Sequence, residues 1–177
     1  MGAPGEGAEA LVVAAFPAAA AALAAAAREG TGNMNKSDFI KQLDHSALES
    51  AIARAEAGTS GEIRVVVLHE PAPEPVAAAQ AAFTRLGMTQ TRERNGVLLF
   101  VAPASQTFAI IGDEAVHAKC GQAFWDELAA AMTGAFQRGE YTAGLLAGID
   151  RAGALLAEHF PRRPDDTNEL PNRVVVI

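Results

Sequence analysis

The run Glu62-Ile63-Arg64-Val65-Val66-Val67-Leu68-His69 is β-branched and almost continuously apolar. A strand with one wet face alternates apolar and polar residues. An unbroken run therefore suits a strand covered on both faces. The flanking segments of the chain have to supply that cover. Pro71-Ala72-Pro73-Glu74-Pro75 is a stiff connector, and Val76 to Leu86 reads as a helix closed by Gly87. A second strand is expected over Gly96 to Ala102 and a third over Thr107 to Ile111. A helix separates the first two strands, so they should lie parallel, joined by a right-handed crossover. The link Pro103-Ala104-Ser105-Gln106 is hairpin-sized, so the second and third strands should be antiparallel.

Helices should bracket this strand region. Phe39, Ile40 and Leu43 form a short helical stripe, and Ser46-Ala47-Leu48-Glu49 reads as a capping box that starts a helix running to about Ala57. Two more helices are expected from Glu114 to Gln137, interrupted near Gly121, and from Tyr141 to His159. Phe124, Trp125, Leu128, Met132 and Phe136 recur at helical spacing in the first of these and read as core.

A length of 177 residues implies one domain plus extensions. The hydrophobic share is 50%, but much of it is alanine, so Leu, Ile, Val and Phe must carry the packing. Residues 1–33 stand apart as an Ala-rich N-terminal extension. Ala10 to Ala27 is nearly pure alanine with Pro17 inside it, and three readings are open. An export signal wants a basic leader, whereas Glu6 and Glu9 precede this run. A membrane anchor wants roughly 20 strongly apolar residues. The third reading is a marginally helical extension, and with it goes a cytoplasmic location. Residues 10–27 acting as anchor or signal would instead make the protein membrane-bound or exported. The remaining boundaries are a domain over 34–161 and a polar tail over 162–177, whose closing Val174-Val175-Val176-Ile177 either adds an edge strand or trails free.

The formal net charge of −7 argues against non-specific nucleic-acid binding. The single cysteine, Cys120, provides neither a disulfide framework nor zinc spacing, and it reads as a small semi-buried residue. His45, His69 and His159 show no metal-ligand spacing. There is no Gly-rich nucleotide loop and no nucleophile elbow. The expected strand directions place Glu62, Arg94, Asn95 and Asp113 at one end of the sheet, with Glu114 and His117 on the first turns of the following helix. Such a set can hold Ca2+ or Mg2+ through oxygen ligands, or bind phosphate through Arg94 and a helix N-terminus. Structural roles suit the same residues: Asp113 as a helix cap, Glu114 on the macrodipole, Asn95-Gly96 as a turn.

Ser60-Gly61-Glu62-Ile63-Arg64-Val65-Val66-Val67, Arg94-Asn95-Gly96-Val97-Leu98-Leu99-Phe100, Ile110-Ile111-Gly112-Asp113, and Phe136 with Gly139-Glu140-Tyr141 and Gly144-Leu145 resemble, in order, the TPM domain. The likeness covers about Met34 to Pro161. The closing Phe160-Pro161-Arg162-Arg163-Pro164-Asp165-Asp166 and Asn168-Glu169-Leu170-Pro171 resemble the compact bacterial branch, which lacks a C-terminal membrane segment. The chain departs from the family pattern at Glu140, where aspartate is frequent.

The resemblance implies an α/β/α sandwich around a small mixed, mostly parallel sheet. It leaves activity unsettled, because some plant members are described as acid phosphatases, some bacterial members bind calcium, and others are linked to membrane-protein assembly or modulation. The family's acidic site maps onto Asp113 and Glu114, with Asp126 as a further carboxylate. Two functions are implied as expectations. One is an interaction module for a membrane-protein or complex partner, with Ca2+ or Mg2+ as the implied cation and no organic cofactor. The alternative is a metal-assisted phosphatase acting on phosphomonoesters, in which Asp113 and its neighbours hold the metal, Arg94 stabilises developing charge and an activated water attacks.

Overall fold

In a computed structural model the chain is described at residues 41–105 and 107–177, together with the backbone of residues 11–13. The elements in chain order are β1 (Leu11–Val13), α1 (His45–Glu56), β2 (Glu62–Val67), α2 (Pro75–Arg85), β3 (Gly96–Ala102), β4 (Thr107–Gly112), α3 (Glu114–Gln137), α4 (Tyr141–His159) and β5 (Val175–Val176). The strands form one sheet in the order β1-β4-β3-β2-β5.

The strand directions are set by the connections. A helix links β2 to β3, and they pair parallel from Glu62↔Gly96 to Val67↔Val101. A single short turn over Pro103–Ser105 links β3 to β4, and these run antiparallel with Ala102 opposite Thr107. Every residue of β2 and of β3 is buried. The period of two divides their side chains between two cores. Ile63, Val65, Val67, Leu99 and Ile110 pack with Leu48 of α1, Trp125 and Phe136 of α3, and Ile149 and Leu156 of α4. Val66, Leu98, Phe100 and Ile111 pack on the opposite face with Ala79 and Phe83 of α2 and with Met88. The result is an α/β/α sandwich around a mixed sheet.

Two local expectations are revised, and one open alternative is decided. Helix α1 is capped by Asp44, whose carboxylate accepts from the Ala47 N–H at 2.9 Å, so the Ser46–Glu49 capping box does not form. Asp44 immediately precedes the helix start, and Glu49 is thereby free to turn toward the C-terminal segment. Residues 11–13 are extended along the edge of β4, with Val12 opposite Ile111, which the marginally helical reading of this run did not foresee. The β-branched pair Val12-Val13 suits an open sheet edge better than a helix. The rest of the alanine run, with Phe39 and Ile40, lies outside the described residues. The C-terminal residues do not trail free: β5 joins β2 in parallel, with Val66 opposite Val175 and Val67 opposite Val176. Among the described residues no helix is long and apolar enough to cross a membrane.

The long helix α3 breaks at Gly121, whose φ of 65° is the left-handed region that glycine enters without strain. Beyond the break, the fully buried Trp125 lies directly over Gly112 at the end of β4, and a Cβ at 112 would overlap its ring. Phe108 and Phe136 meet edge to face with centroids 5.4 Å apart, fastening the last turns of α3 to the sheet. Trp125→Ala should lower unfolding free energy by about 3–5 kcal/mol, and Gly112→Ala by about 1–3 kcal/mol through overpacking. Urea denaturation of both variants checks the pair.

Candidate functional site

The sheet end predicted to collect polar residues does so. Three segments meet there: the start of β2, the turn before β3, and the junction between β4 and α3. Asp113 is fully buried and caps α3, accepting from the Glu114 N–H at 2.8 Å. Arg94 grips the same carboxylate with both arms, Nε to Oδ2 at 2.9 Å and Nη2 to Oδ1 at 2.8 Å. Such bidentate pairs are among the stronger charge-assisted contacts, and this one holds the guanidinium above its usual range, chiefly through the hydrogen bond to Asp113. The backbone completes the clamp: Asp113 N–H donates to Gly96 O at 2.8 Å and Ala115 N–H to Arg94 O at 3.2 Å. Arg94 itself sits at φ 52°, uncommon for a residue with a side chain. A backbone strained in this way persists where surrounding contacts over-determine it.

The other members of the predicted acidic set make no side-chain hydrogen bond to this pair, although the Glu114 charge adds to the rise at Arg94. Glu114 is exposed on the first turn of α3, where its charge complements the helix dipole. Asp126 lies beyond the Gly121 break and accepts from Gln122 at 2.9 Å in an exposed contact. Among the described residues no group of three or more His, Cys, Asp or Glu side chains is placed to hold a metal ion. Both oxygens of Asp113 already serve N–H donors, one of them an arginine, so its charge is neutralised within the fold. The Asp113, Glu114 and Asp126 set as it stands does not fit a divalent cation. Cys120 is chemically quiet as well, since burial pushes its thiol up to about 11.

A second set of charged groups lies at the same end of the sheet, on the outer side of β2. Glu62 and Arg64 are 3% and 4% exposed, and Glu56 at the end of α1 is 8% exposed. Glu56 accepts from the Ile63 N–H and from the Asn172 side-chain amide, both at 2.7 Å. Glu62 takes the N–H groups of Glu169 at 2.8 Å and Leu170 at 3.3 Å, while Arg64 donates to the Pro171 carbonyl. Burial raises the Glu56 carboxyl from its ordinary 4.5 to about 7, with the Glu62 charge adding to the rise and the Ile63 hydrogen bond opposing it. Burial likewise raises Glu62 and lowers Arg64. A cleft of about 290 Å³ opens beside them, lined by Glu56, Thr59, Glu62, Asp166 and Asn172 among others.

Of this second set only Glu62 stood among the residues expected at the site. The signal for Arg64 was present: two charges, Glu62 and Arg64, interrupt an otherwise apolar strand, and buried charge requires partners. Those partners come from residues more than a hundred positions away, beyond the reach of any local pattern. A third network links Ser60 to Glu93 at 2.7 Å, Asn95 to Ser60 at 3.1 Å and Arg163 to Glu93 at 2.7 Å.

The TPM domain family model matches residues 34–155. Among solved structures, the NMR structure of the BA42 protein from the psychrophilic bacterium Bizionia argentinensis is similar to this chain. The two are 34% identical with a TM-score of 0.70, over 84% of this chain and 97% of that one. No curated protein matches.

Two measurements test the electrostatic description. Arg94→Ala leaves Asp113 buried without its cation and should cost about 2–3 kcal/mol, less than a fully buried pair because Arg94 is partly exposed; Arg94→Ala with Asp113→Asn should cost less than the sum of the two. Chemical denaturation of the cycle gives the coupling. The raised Glu56 means that the fold favours its protonated form. Its contribution is therefore full below 4.5 and is lost as pH rises through about 7. Melting temperature should fall across that window in the wild type, with Glu62 acting in the same direction, and Glu56→Gln should flatten the fall.

Proposed function

The chain belongs to the TPM-domain family, and on that premise we propose that it is a soluble interaction module for a membrane-protein or complex partner. The observation that carries this reading is the commitment of Asp113. It is fully buried, caps α3 and is held at 2.8 and 2.9 Å by Arg94. An aspartate so engaged orders the junction of β4 and α3. A carboxylate poised to bind a metal or to activate a water would keep a lone pair directed at open space. The positive charge of Arg94 is likewise spent on Asp113, which weakens its case as a stabiliser of developing charge on a phosphate.

The family's phosphatase reading requires Asp113, Glu114 and Asp126 to converge on a cation. Two of these lie on α3, on either side of the Gly121 break. Ca2+ or Mg2+ bound at this end would act here as a fold-stabilising or partner-bridging ion held by surface carboxylates. Such binding is weak, because few charged ligands are arranged in advance.

The decisive comparison uses the full chain and its Asp113→Asn variant. Each is titrated calorimetrically with Ca2+, Mg2+ and Mn2+ and assayed against p-nitrophenyl phosphate. The expected outcome is no phosphate release above the metal-only blank, with Asp113→Asn changing melting temperature alone. Turnover by the wild type that disappears in Asp113→Asn, while the variant keeps its secondary structure, would overturn the module reading in favour of the phosphatase. Photo-crosslinking from exposed positions of the full chain in its native host should give discrete adducts from one contiguous part of the surface.

A further inference from the structure

Residues 168–177 sit on the domain as a peptide sits in a receptor. We propose that the outer edge of β2, together with Glu49, Glu56, Glu62 and Arg64, is a receptor for an extended segment of a partner protein, which the chain's own C-terminal segment occupies in cis. This names the docking site of the interaction module and rests on that reading.

The recognition is largely of backbone. Glu62 presents one oxygen to the Glu169 N–H at 2.8 Å and the other to the Leu170 N–H at 3.3 Å. Arg64 donates to the Pro171 carbonyl, and Glu49 accepts from the Val174 N–H at 3.3 Å. The segment then adds to the sheet: Val175 and Val176 pair with Val66 and Val67, Ile177 N–H donates to Val67 O at 3.0 Å, and His69 N–H donates to Ile177 O at 2.6 Å. Addition of an extended strand to a sheet edge is a general mode of peptide capture, in which the main chain supplies affinity and alternate side chains supply specificity. Here the specificity elements are the Asn172 amide on Glu56 at 2.7 Å and the apolar side chains of Leu170, Val175 and Ile177. These three pack against the core on the α2 side of the sheet, and Val174 packs against the other core.

Charge decides what such an edge accepts. The receptor offers three carboxylates, and residues 168–177 carry one acid, Glu169, and one arginine, Arg173, with no acid after Glu169, in a chain whose net charge is −7. The occupant is therefore a segment with two successive free N–H groups, no acid following them, a side-chain amide shortly after, and a β-branched pair. Emptying the edge removes the partners that Glu62 and Arg64 have in the segment, so the pocket favours being filled. Arg64 Nε already has no partner, although it is buried. That spare donor would reward an occupant carrying an extra acceptor near the position of Pro171.

Exchange is feasible because the connection to the domain is light. Pro161 to Asp165 are exposed; the stretch touches the domain through a bridge between Thr59 and Pro161, the Arg162 N–H on Gly58 O at 3.3 Å and the ion pairs Arg92–Asp165 at 3.5 Å and Arg163–Glu93 at 2.7 Å, and Arg162–Asp166 at 3.8 Å lies within it. Surface pairs of this kind contribute little. A tethered segment nevertheless competes at an effective concentration near the millimolar range. A partner segment must therefore bind better than the chain's own, or bind when that one is weakened.

The test is made on the full chain with its own segment weakened by Leu170→Ala and Val175→Ser, using a fluorescent peptide of the wild-type sequence 168–177 as probe. The weakened chain should bind the peptide at least about tenfold more tightly than the wild type, whose edge is filled in cis. Adding Glu62→Gln should remove that gain, whereas adding Glu127→Gln on the surface of α3 should not. No binding by a weakened chain that still melts cooperatively would overturn the proposal, as would equal binding by all four proteins. Should the weakened chain fail to fold, hydrogen exchange on the wild type decides. Amides of Glu169, Leu170 and Val174 to Ile177 should exchange well before those of β3, and exchange only through global unfolding would overturn the proposal. Failure of peptide binding alongside discrete crosslinked adducts would leave the module reading intact. Phosphate turnover lost in Asp113→Asn would remove that reading whatever the peptide does.

Discussion

Burial of β2 on both faces and along both edges is the constraint on which the rest of the architecture depends. Its side chains feed two cores, one under α1, α3 and α4 and the other under α2. One edge is closed by β3 over six paired positions. The other is closed by the two residues of β5, by Ile177, and by backbone N–H groups that donate to the Glu62 carboxylate. A strand this apolar is an aggregation hazard if its edge stays open. The C-terminal segment provides the cover, and it does so partly through carboxylates that read backbone N–H groups instead of through a long ladder.

The same end of the sheet shows two ways of accommodating buried charge. Asp113 and Arg94 form a closed pair, with the aspartate also serving a helix cap, and that pair orders the turn into α3. Glu56, Glu62 and Arg64 are instead satisfied by a segment of chain distant in sequence. Their raised or lowered pKa values stem from that arrangement, since desolvation outweighs the hydrogen bonds that compensate it. The first arrangement is self-contained and structural. The second is conditional on an occupant, which is why it is the better candidate for exchange with a partner.

How far the site was legible depended on the range of each contact. Arg94 and Asp113 could be placed together because connection lengths set strand directions, and both residues flank strands. The cap at Asp113 was readable from its position before a helical pattern. The cap at Asp44 was not, because Ser46 and Glu49 offered an equally good local pattern, and in the fold Glu49 accepts from the Val174 N–H instead. Asp126 looked available on sequence grounds, but the break at Gly121 leaves it paired with Gln122, apart from Asp113. Glu56 gave no local sign at all, being one more acid near the end of a helix.

The sequence by itself determined the layers of this protein: an unbroken apolar strand needs two-sided cover, and the helical periods around it can supply it. It also determined the directions of β2, β3 and β4, through the lengths of the links between them, and it placed Asp113 at the start of α3. Only the tertiary structure decided which carboxylates are engaged and by what. Hydrogen bonds from residues 169–174 to Glu49, Glu56 and Glu62 span more than a hundred positions of sequence, and no periodicity encodes a contact at that range. The fate of the C-terminal segment, strand or loose end, was decided in the same way. Its few apolar side chains acquire a place only once both cores and the bare edge of β2 exist.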